Sequence, residues 1–307
     1  DILREAGLDA EISDDAGDYI CNHTLYLALG SDVPSIGFIH LPPPNEQMSL
    51  TAMQKVTIDS LRGLQNDNMN IRARKLLPLL MRSVKSKDQA VGVLKSWNLQ
   101  NSSESIGATI FETWVLNLQS FLWDDEFDSD EKVPMNRPSM DRTIHLIEYE
   151  AQARWWDNVK TKNVKESMDQ IIETSFQATL DTLAKKHGPM GPEWAWSKHK
   201  QTGVRHLIPG MDALSRLHIP VGGGGSIVNA TTTKTGPSWR FIVELSKKGT
   251  PKAYGIYPGG QSGNPGSSHY DDLIDTWAKG ELKPLLYLDQ ANQSTNRIRK
   301  KITLSAQ

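Results

Sequence analysis

From residue 57 to residue 187 apolar side chains recur every three or four positions, and after Gly188 that rhythm stops. The clearest stretch is 106–123, where Ile110, Phe111, Trp114, Leu118 and Leu122 share one helical face. Ahead of it, Leu61 and Leu64, then Leu76, Leu77, Leu79 and Leu80, give helical periods, with Thr57 as a candidate N-cap. Segments 141–159 and 164–186 repeat the pattern. Between 106–123 and 141–159, the stretch 123–140 is acidic and then carries prolines, which predicts a solvated loop. Beyond Gly188, Gly, Pro, Ser and Thr become frequent. Segments 226–233, 239–245 and 252–257 predict strands from their β-branched and aromatic content. Segment 271–279 predicts a short helix, 285–288 a last strand or turn, and 296–301 a basic tail. A helical block followed by strands, rather than their alternation, places the chain in the α+β class.

The first 54 residues have a different texture. Segment 9–13 predicts a short strand. Segment 16–29 predicts a helix from Tyr19, Ile20, Leu25, Tyr26 and Leu29, with Gly30 as its stop. Segment 35–40 predicts a strand ended by Pro42, Pro43 and Pro44. Ser49 then caps a helix carrying Ala52, Met53 and Val56 on one face. The expected domains are therefore 1–54, a small β-α-β-α piece, and 55–307.

Composition removes several function classes. The 34 Lys and Arg against 36 Asp and Glu leave a net charge of −2, too balanced for a protein that coats nucleic acid. No apolar run approaches the roughly 18 residues that a membrane helix needs. The one cysteine, Cys21, rules out an internal disulfide. No signal-peptide pattern opens the chain, and Asp1 in place of Met reads as a processed or truncated end. Nine Trp against six Phe predict core anchors or binding platforms.

Cys21 lies near the start of the predicted helix 16–29, where the helix dipole lowers a thiol pKa. His40 ends the following strand. A thiolate and an imidazole so placed form a candidate nucleophilic dyad, whereas a lone Cys or His in general is a packed core residue. The strings Asp14-Asp15-Ala16-Gly17-Asp18-Tyr19-Ile20-Cys21-Asn22 and Gly37-Phe38-Ile39-His40-Leu41-Pro42, with Glu46-Gln47 and Met48-Ser49-Leu50 after them, closely resemble the C-terminal third of pyroglutamyl peptidase type I. The resemblance implies a cysteine peptidase that removes N-terminal pyroglutamate, with Cys21 as nucleophile and His40 as general base. That family's catalytic acid and pyroglutamate pocket lie upstream of the matching segment, and nothing else orients the imidazole.

A second set of strings spans the rest. It comprises Leu64-Gln65-Asn66-Asp67 with Ala73 and Leu77-Pro78, Gly236-Pro237-Ser238-Trp239-Arg240, and Pro258-Gly259-Gly260-Gln261-Ser262-Gly263 with Ser268-His269-Tyr270 and Trp277. Together these resemble the C-terminal half of the large chain of the penicillin acylase family. The resemblance implies N-terminal-nucleophile hydrolases that cleave amides, including β-lactam side chains and acyl-homoserine lactones. It also implies that the strands after Gly188 belong to an incomplete αββα layer. In that chemistry the first residue after self-cleavage, a Ser, Thr or Cys, attacks with its own α-amine as base. The family's nucleophile, oxyanion-hole Asn and substrate-side Arg all precede the matching region. Asp1 cannot replace the nucleophile, and Gly30-Ser31 and Gly225-Ser226 sit in the wrong context. No catalytic role therefore falls on 55–307, whose matched strings read as a supporting shell. Gly236-Pro237-Ser238 predicts a tight turn, 259–263 a close backbone approach, and Arg240 and His269 a hydrogen-bonded pair across that loop.

Weaker signals take plain readings. Gly222–225 lacks the Lys and helix of a phosphate loop and reads as a flexible connection. His187, His199, His206 and His218 fit no zinc spacing and read as loop histidines beside packing tryptophans, Trp194 and Trp196. The acidic residues of 124–131 lack the glycine of a calcium loop. Neither a cofactor nor a metal is expected.

Three readings follow. The first is an amide hydrolase of penicillin acylase type, acting on a small-molecule acyl amide, with a companion chain or upstream sequence supplying its nucleophile. The second is a cysteine peptidase acting on pyroglutamyl peptides through Cys21 and His40. The third is a non-catalytic fusion of two truncated hydrolases, suggested by the absence of any linker near residues 54–57. The peptidase-like segment implies a cytoplasmic protein and the acylase-like region an exported one. Pieces lacking their partners are expected to expose apolar surface along strand edges.

Overall fold

The computed structural model describes residues 50–86, 88–127, 137–234, 236–245 and 249–288, with 295, 296, 298 and 302. The chain divides into two compact units, 1–64 and 65–307. Most of the β-α-β-α piece expected over 1–54 lies outside the described residues.

Helix α1, Leu50–Gln65, runs without a break through Thr57. The expected cap at Thr57 is therefore corrected. No proline interrupts the segment and nothing ends the helix that begins at Leu50, so it simply continues.

In the second unit, α2 (Ile71–Ser83) starts where the Asn70 side chain accepts from the backbone N–H of Ala73 at 3.0 Å. Asp88 caps α3 (Gln89–Ser96) in the same way. Helix α4, Ile106–Phe127, extends past the start of the loop expected at 123, because Trp123 is a core residue rather than a loop residue. Residues 128–136 lie outside the description. The helix expected over 141–159 is α5, Met140–Tyr149, followed by a 3-10 turn at Arg154–Trp156. The helix expected over 164–186 is α6, Met168–His187. It starts late because Ser167 and Gln170 close a capping box, and it stops at Gly188 with φ 77°.

The core forms where α4 lies along α6. Ile110, Phe111, Trp114, Leu118, Leu122 and Trp123 meet Ile172, Phe176, Leu180 and Leu183. Three fully buried tryptophans are anchors whose N–H groups are used, as burial demands. Trp114 donates to Ser175 Oγ at 3.1 Å, Trp123 to Thr143 Oγ1 at 3.1 Å and Trp156 to the carbonyl of Glu150 at 3.0 Å.

A small antiparallel sheet follows, in the order β1-β2-β3: β1 Arg240–Glu244, β2 Lys252–Ile256 and β3 Lys283–Pro284. Arg240 stands opposite Ile256, and Tyr254 opposite Pro284. The helical middle and the strands after it thus give the expected mixed class. Ile219, Val221 and Ile256 pack with Ile274 and Trp277 of α8, Ile274–Ala278. The last strand falls at 283–284 rather than 285–288, although Leu285 N–H still bonds the carbonyl of Ala253 at 2.8 Å. The strand expected over 226–233 is absent. Asn229 and Thr231 are buried polar residues there, and their backbones turn rather than extend. Exposed apolar surface does occur, on the outward face of edge strand β1. Phe241 and Val243 are exposed, and Trp239 stacks on Phe241 with ring centroids 5.6 Å apart.

Candidate functional site

The helices meet the glycine-rich segment along a seam of buried polar side chains. It starts in the run Asp67 to Asn70, which pairs with 100–101 before α4 enters the core. Met69 bridges Gln100, Asn70 N–H bonds the carbonyl of Leu99 at 2.8 Å, and Asn101 N–H bonds the carbonyl of Asn68 at 2.8 Å. Glu112, in the second turn of α4, collects three donors. Asn70 Nδ2 lies at 2.7 Å and Asn101 Nδ2 at 3.0 Å from Oε1, and Arg72 at 2.8 Å from Oε2.

Across the seam lies the short helix α7, Trp196–Lys200. Its indole donates to the carbonyl of Gly223 at 2.6 Å. Lys200 is only 6% exposed. Its ammonium donates to the carbonyl of Gly222 at 2.7 Å and to Thr231 Oγ1 at 2.5 Å, and lies 5.6 Å from the Trp196 ring. Thr231 Oγ1 in turn donates to the carbonyl of Gly222. Burial pushes the Lys200 amine down to about 7, with Glu112 partly opposing the shift.

Asn229 joins this layer to the sheet. Its N–H bonds the carbonyl of Asp67 at 3.0 Å, its amide donates to Asn68 Oδ1 at 2.9 Å, and its Oδ1 accepts from Arg240 at 2.9 Å. Arg240 also donates to the carbonyl of Trp277 at 2.8 Å and lies over that ring at 5.2 Å. Burial lowers the Arg240 pKa to about 10. The Trp277 N–H reaches the carbonyl of Pro237 at 2.8 Å, and the tight turn expected at 236–238 is only a bend at Ser238.

Two expectations are corrected here. Gly222–225 is not a flexible connection. A side chain at Gly222 would sit 2.7 Å from the carbonyl oxygen of Asn101, and one at Gly223 2.0 Å from that of Asn229. Arg240 and His269 do not meet across the 259–263 loop. Arg240 turns inward to Asn229 and Trp277, and His269 Nδ1 pairs with Asp272 at 3.0 Å. The close approach expected in that loop is present, because a Cβ on Gly260 would meet the carbonyl oxygen of His269 at 2.1 Å.

Of the four histidines, the fold brings two together, on helices rather than loops. His187 Nε2 and His199 Nδ1 are 3.0 Å apart, and His199 stacks on Trp196 at 5.9 Å. His206 and His218 stand elsewhere in 204–218, where the His206 ring accepts from Ile208 N–H. Among the described residues no three His, Cys, Asp or Glu side chains gather as a metal set. Burial and Lys186 push the His199 ring down to about 4, and burial and Lys186 lower His187 as well. Thr113 Oγ1 lies 3.4 Å from His199 Nε2, but a buried hydroxyl beside so weak a base is no nucleophile at neutral pH. Between about pH 6.5 and 4 the unfolded His199 binds a proton that the folded ring refuses, so stability falls with acid in that window. His199→Gln is expected to shrink the loss between pH 7 and pH 4 by about 2 kcal/mol. Urea unfolding across that range checks this, and equal losses in both proteins would contradict it.

Lys200, Glu112, Asn101 and Asn229, the centre of this seam, carry no local motif. The asparagines at 66, 68 and 70 were the one available signal. Cys21 and His40 lie outside the described residues. Most of the seam's polar side chains are bonded to one another, while Arg72 Nε and Arg240 Nε are buried without a hydrogen-bond partner. Chemically the seam positions backbone, with the Lys200 amine turned onto Gly222 and Thr231.

Residues 45–294 match the model of the penicillin amidase family, and residues 1–66 match that of pyroglutamyl peptidase. The acyl-homoserine lactone acylase QuiP of Pseudomonas putida is 25% identical over 266 residues, covering 74% of this chain and 32% of that protein. The acylase PvdQ of Pseudomonas syringae is 23% identical over 266 residues, covering 79% of this chain and 30% of that protein. The chain thus spans about a third of the length of these relatives or less. The pyrrolidone-carboxylate peptidase of Chromobacterium violaceum is 51% identical over 45 residues, 15% of this chain and 21% of that protein. A thermostable penicillin G acylase from Alcaligenes faecalis aligns in structure with a TM-score of 0.44 and 14% identity, over 96% of this chain and 55% of that one.

Proposed function

This chain belongs to the penicillin amidase family, and from that premise we propose that residues 55–307 form the supporting C-terminal region of a hydrolase of small acyl amides. The family match over 45–294 carries this reading. The nucleophile belongs to sequence outside 55–307, either upstream or on a companion chain. Its first residue attacks the amide carbonyl while its α-amine takes the hydroxyl or thiol proton, the resulting α-ammonium returns that proton to the leaving amine, and water then cleaves the acyl-enzyme bond to give the carboxylic acid and restore the nucleophile. The buried seam then has a plain task. It holds the 222–231 backbone against α4 and α7 so that whatever packs there meets a fixed surface.

A second reading has its own support in the match over 1–66 and the 51% identity over 45 residues. There Cys21 is the nucleophile and His40 the base of a pyroglutamyl peptidase. One assay separates the two. Protein purified from its own source, with any companion chain retained, is given an N-acyl-homoserine lactone and a pyroglutamyl amide, before and after iodoacetamide. Acyl amide hydrolysis that survives alkylation is the expected result. Pyroglutamyl cleavage alone, abolished by alkylation and by Cys21→Ala, would overturn the first reading. Turnover of neither by a folded sample would leave a non-catalytic fusion.

A further inference from the structure

Helices α2 and α3 leave between them a groove of about 300 Å³. Ala73 and Leu94, both fully buried, form its floor. Leu77, Met81, Trp97 and Leu99 form its walls. The charged groups on its lining are both cationic, Arg74 and Lys95, and no carboxylate lines it. These cations differ from three arginines elsewhere in the second unit. Arg72 is paired with Glu112, Arg142 with Glu150, and Arg216 with Asp271 and Asp275. Arg74 and Lys95 form no ion pair among the described residues. Arg74 also sits in the first turn of α2, which has no acidic residue. A cation there opposes the helix dipole, so helix stability does not account for it.

An apolar trough with two unpaired cations on its lining selects an amphiphile with an anionic head. The volume lies at the low end of small-molecule sites, too small to seat a partner helix. We propose that this groove binds a single-tailed aliphatic carboxylate, its head between Arg74 and Lys95 and its tail along Leu77, Met81 and Trp97. The carboxylate accepts charge-assisted hydrogen bonds from guanidinium and ammonium, and the tail leaves water. The site stands whether or not the chain is part of a hydrolase, although a hydrolase of aliphatic acyl amides would release such an acid.

The test is calorimetric titration of the full chain with sodium decanoate below its micelle concentration. Saturable one-to-one binding is expected. The double variant Arg74→Glu/Lys95→Glu should bind at least tenfold more weakly, and so should wild type given decyltrimethylammonium, which has the same tail and the opposite head. Leu77→Trp should fill the groove and abolish binding. The charge variant alters two exposed positions and keeps the test decisive if Leu77→Trp fails to fold, with urea midpoints confirming its fold. No saturable binding by folded wild type would overturn the proposal. So would equal binding by the charge variant, or equal binding of the two head groups.

Discussion

Gly223→Ala should destabilise the second unit by on the order of 4 kcal/mol, at the severe end of single substitutions. The residue has φ 85°, a conformation that a side chain adopts only with strain. The added Cβ would lie 2.0 Å from the carbonyl oxygen of Asn229 and 2.7 Å from Thr231 Oγ1. Both neighbours are fixed, Asn229 by Asp67, Asn68 and Arg240, and Thr231 by Lys200. The backbone must therefore move, and Gly223 gives up its bonds to Asn101 and Trp196 when it does. Gly225→Ala is the control. Its Cβ would meet only Thr232 Cγ2, at an ordinary 3.7 Å, and it should fall within about 0.5 kcal/mol of wild type. Urea unfolding of both variants reads the difference. Equal stabilities would mean that the 222–225 segment is free after all.

Lys200→Met should remove an alkaline gain in stability. The folded amine titrates at about 7, and an unfolded lysine near its ordinary 10.5. Between those values the unfolded chain holds a proton that the folded chain has released, so raising the pH favours folding. Below pH 7 both forms are protonated and the residue adds no slope. Across the window the gain is on the order of 4 kcal/mol. The groups facing the amine are the Gly222 and Gly223 carbonyls, Thr231 and the Trp196 ring, with Glu112 acting on it through charge. Methionine keeps the volume and loses the titration. Unfolding free energies of the two proteins, differenced from pH 6.5 to 10, should diverge steadily above pH 7. Parallel curves would contradict the burial argument.

The helical half of the fold was legible because its cause is local. The face shared by Ile110, Phe111, Trp114, Leu118 and Leu122 buries itself whatever it meets, and α4 and α6 follow from such periods. Strands β1 and β2 were legible for the same reason. The polar seam was not. Asn229 is held by Asn68, 161 positions away, and Lys200 by Gly222 and Thr231. Such partners leave no period in the sequence. The same blindness made 226–233 look like a strand and four consecutive glycines look like a linker. At Gly222 and Gly223 carbonyl oxygens occupy the space that side chains would need. Closeness to one loop predicts Arg240 and His269 as partners, but the buried acceptors on Asn229 and Trp277 offer the guanidinium more than an exposed imidazole can.

Native mass spectrometry of the protein from its own source, with peptide sequencing, tests the central proposal most directly. The account predicts that residues 55–307 travel with a polypeptide region whose first residue is Ser, Thr or Cys with a free α-amine, in material that hydrolyses acyl amides after thiol alkylation. A folded species with no such N-terminus and no acyl amide turnover would contradict it.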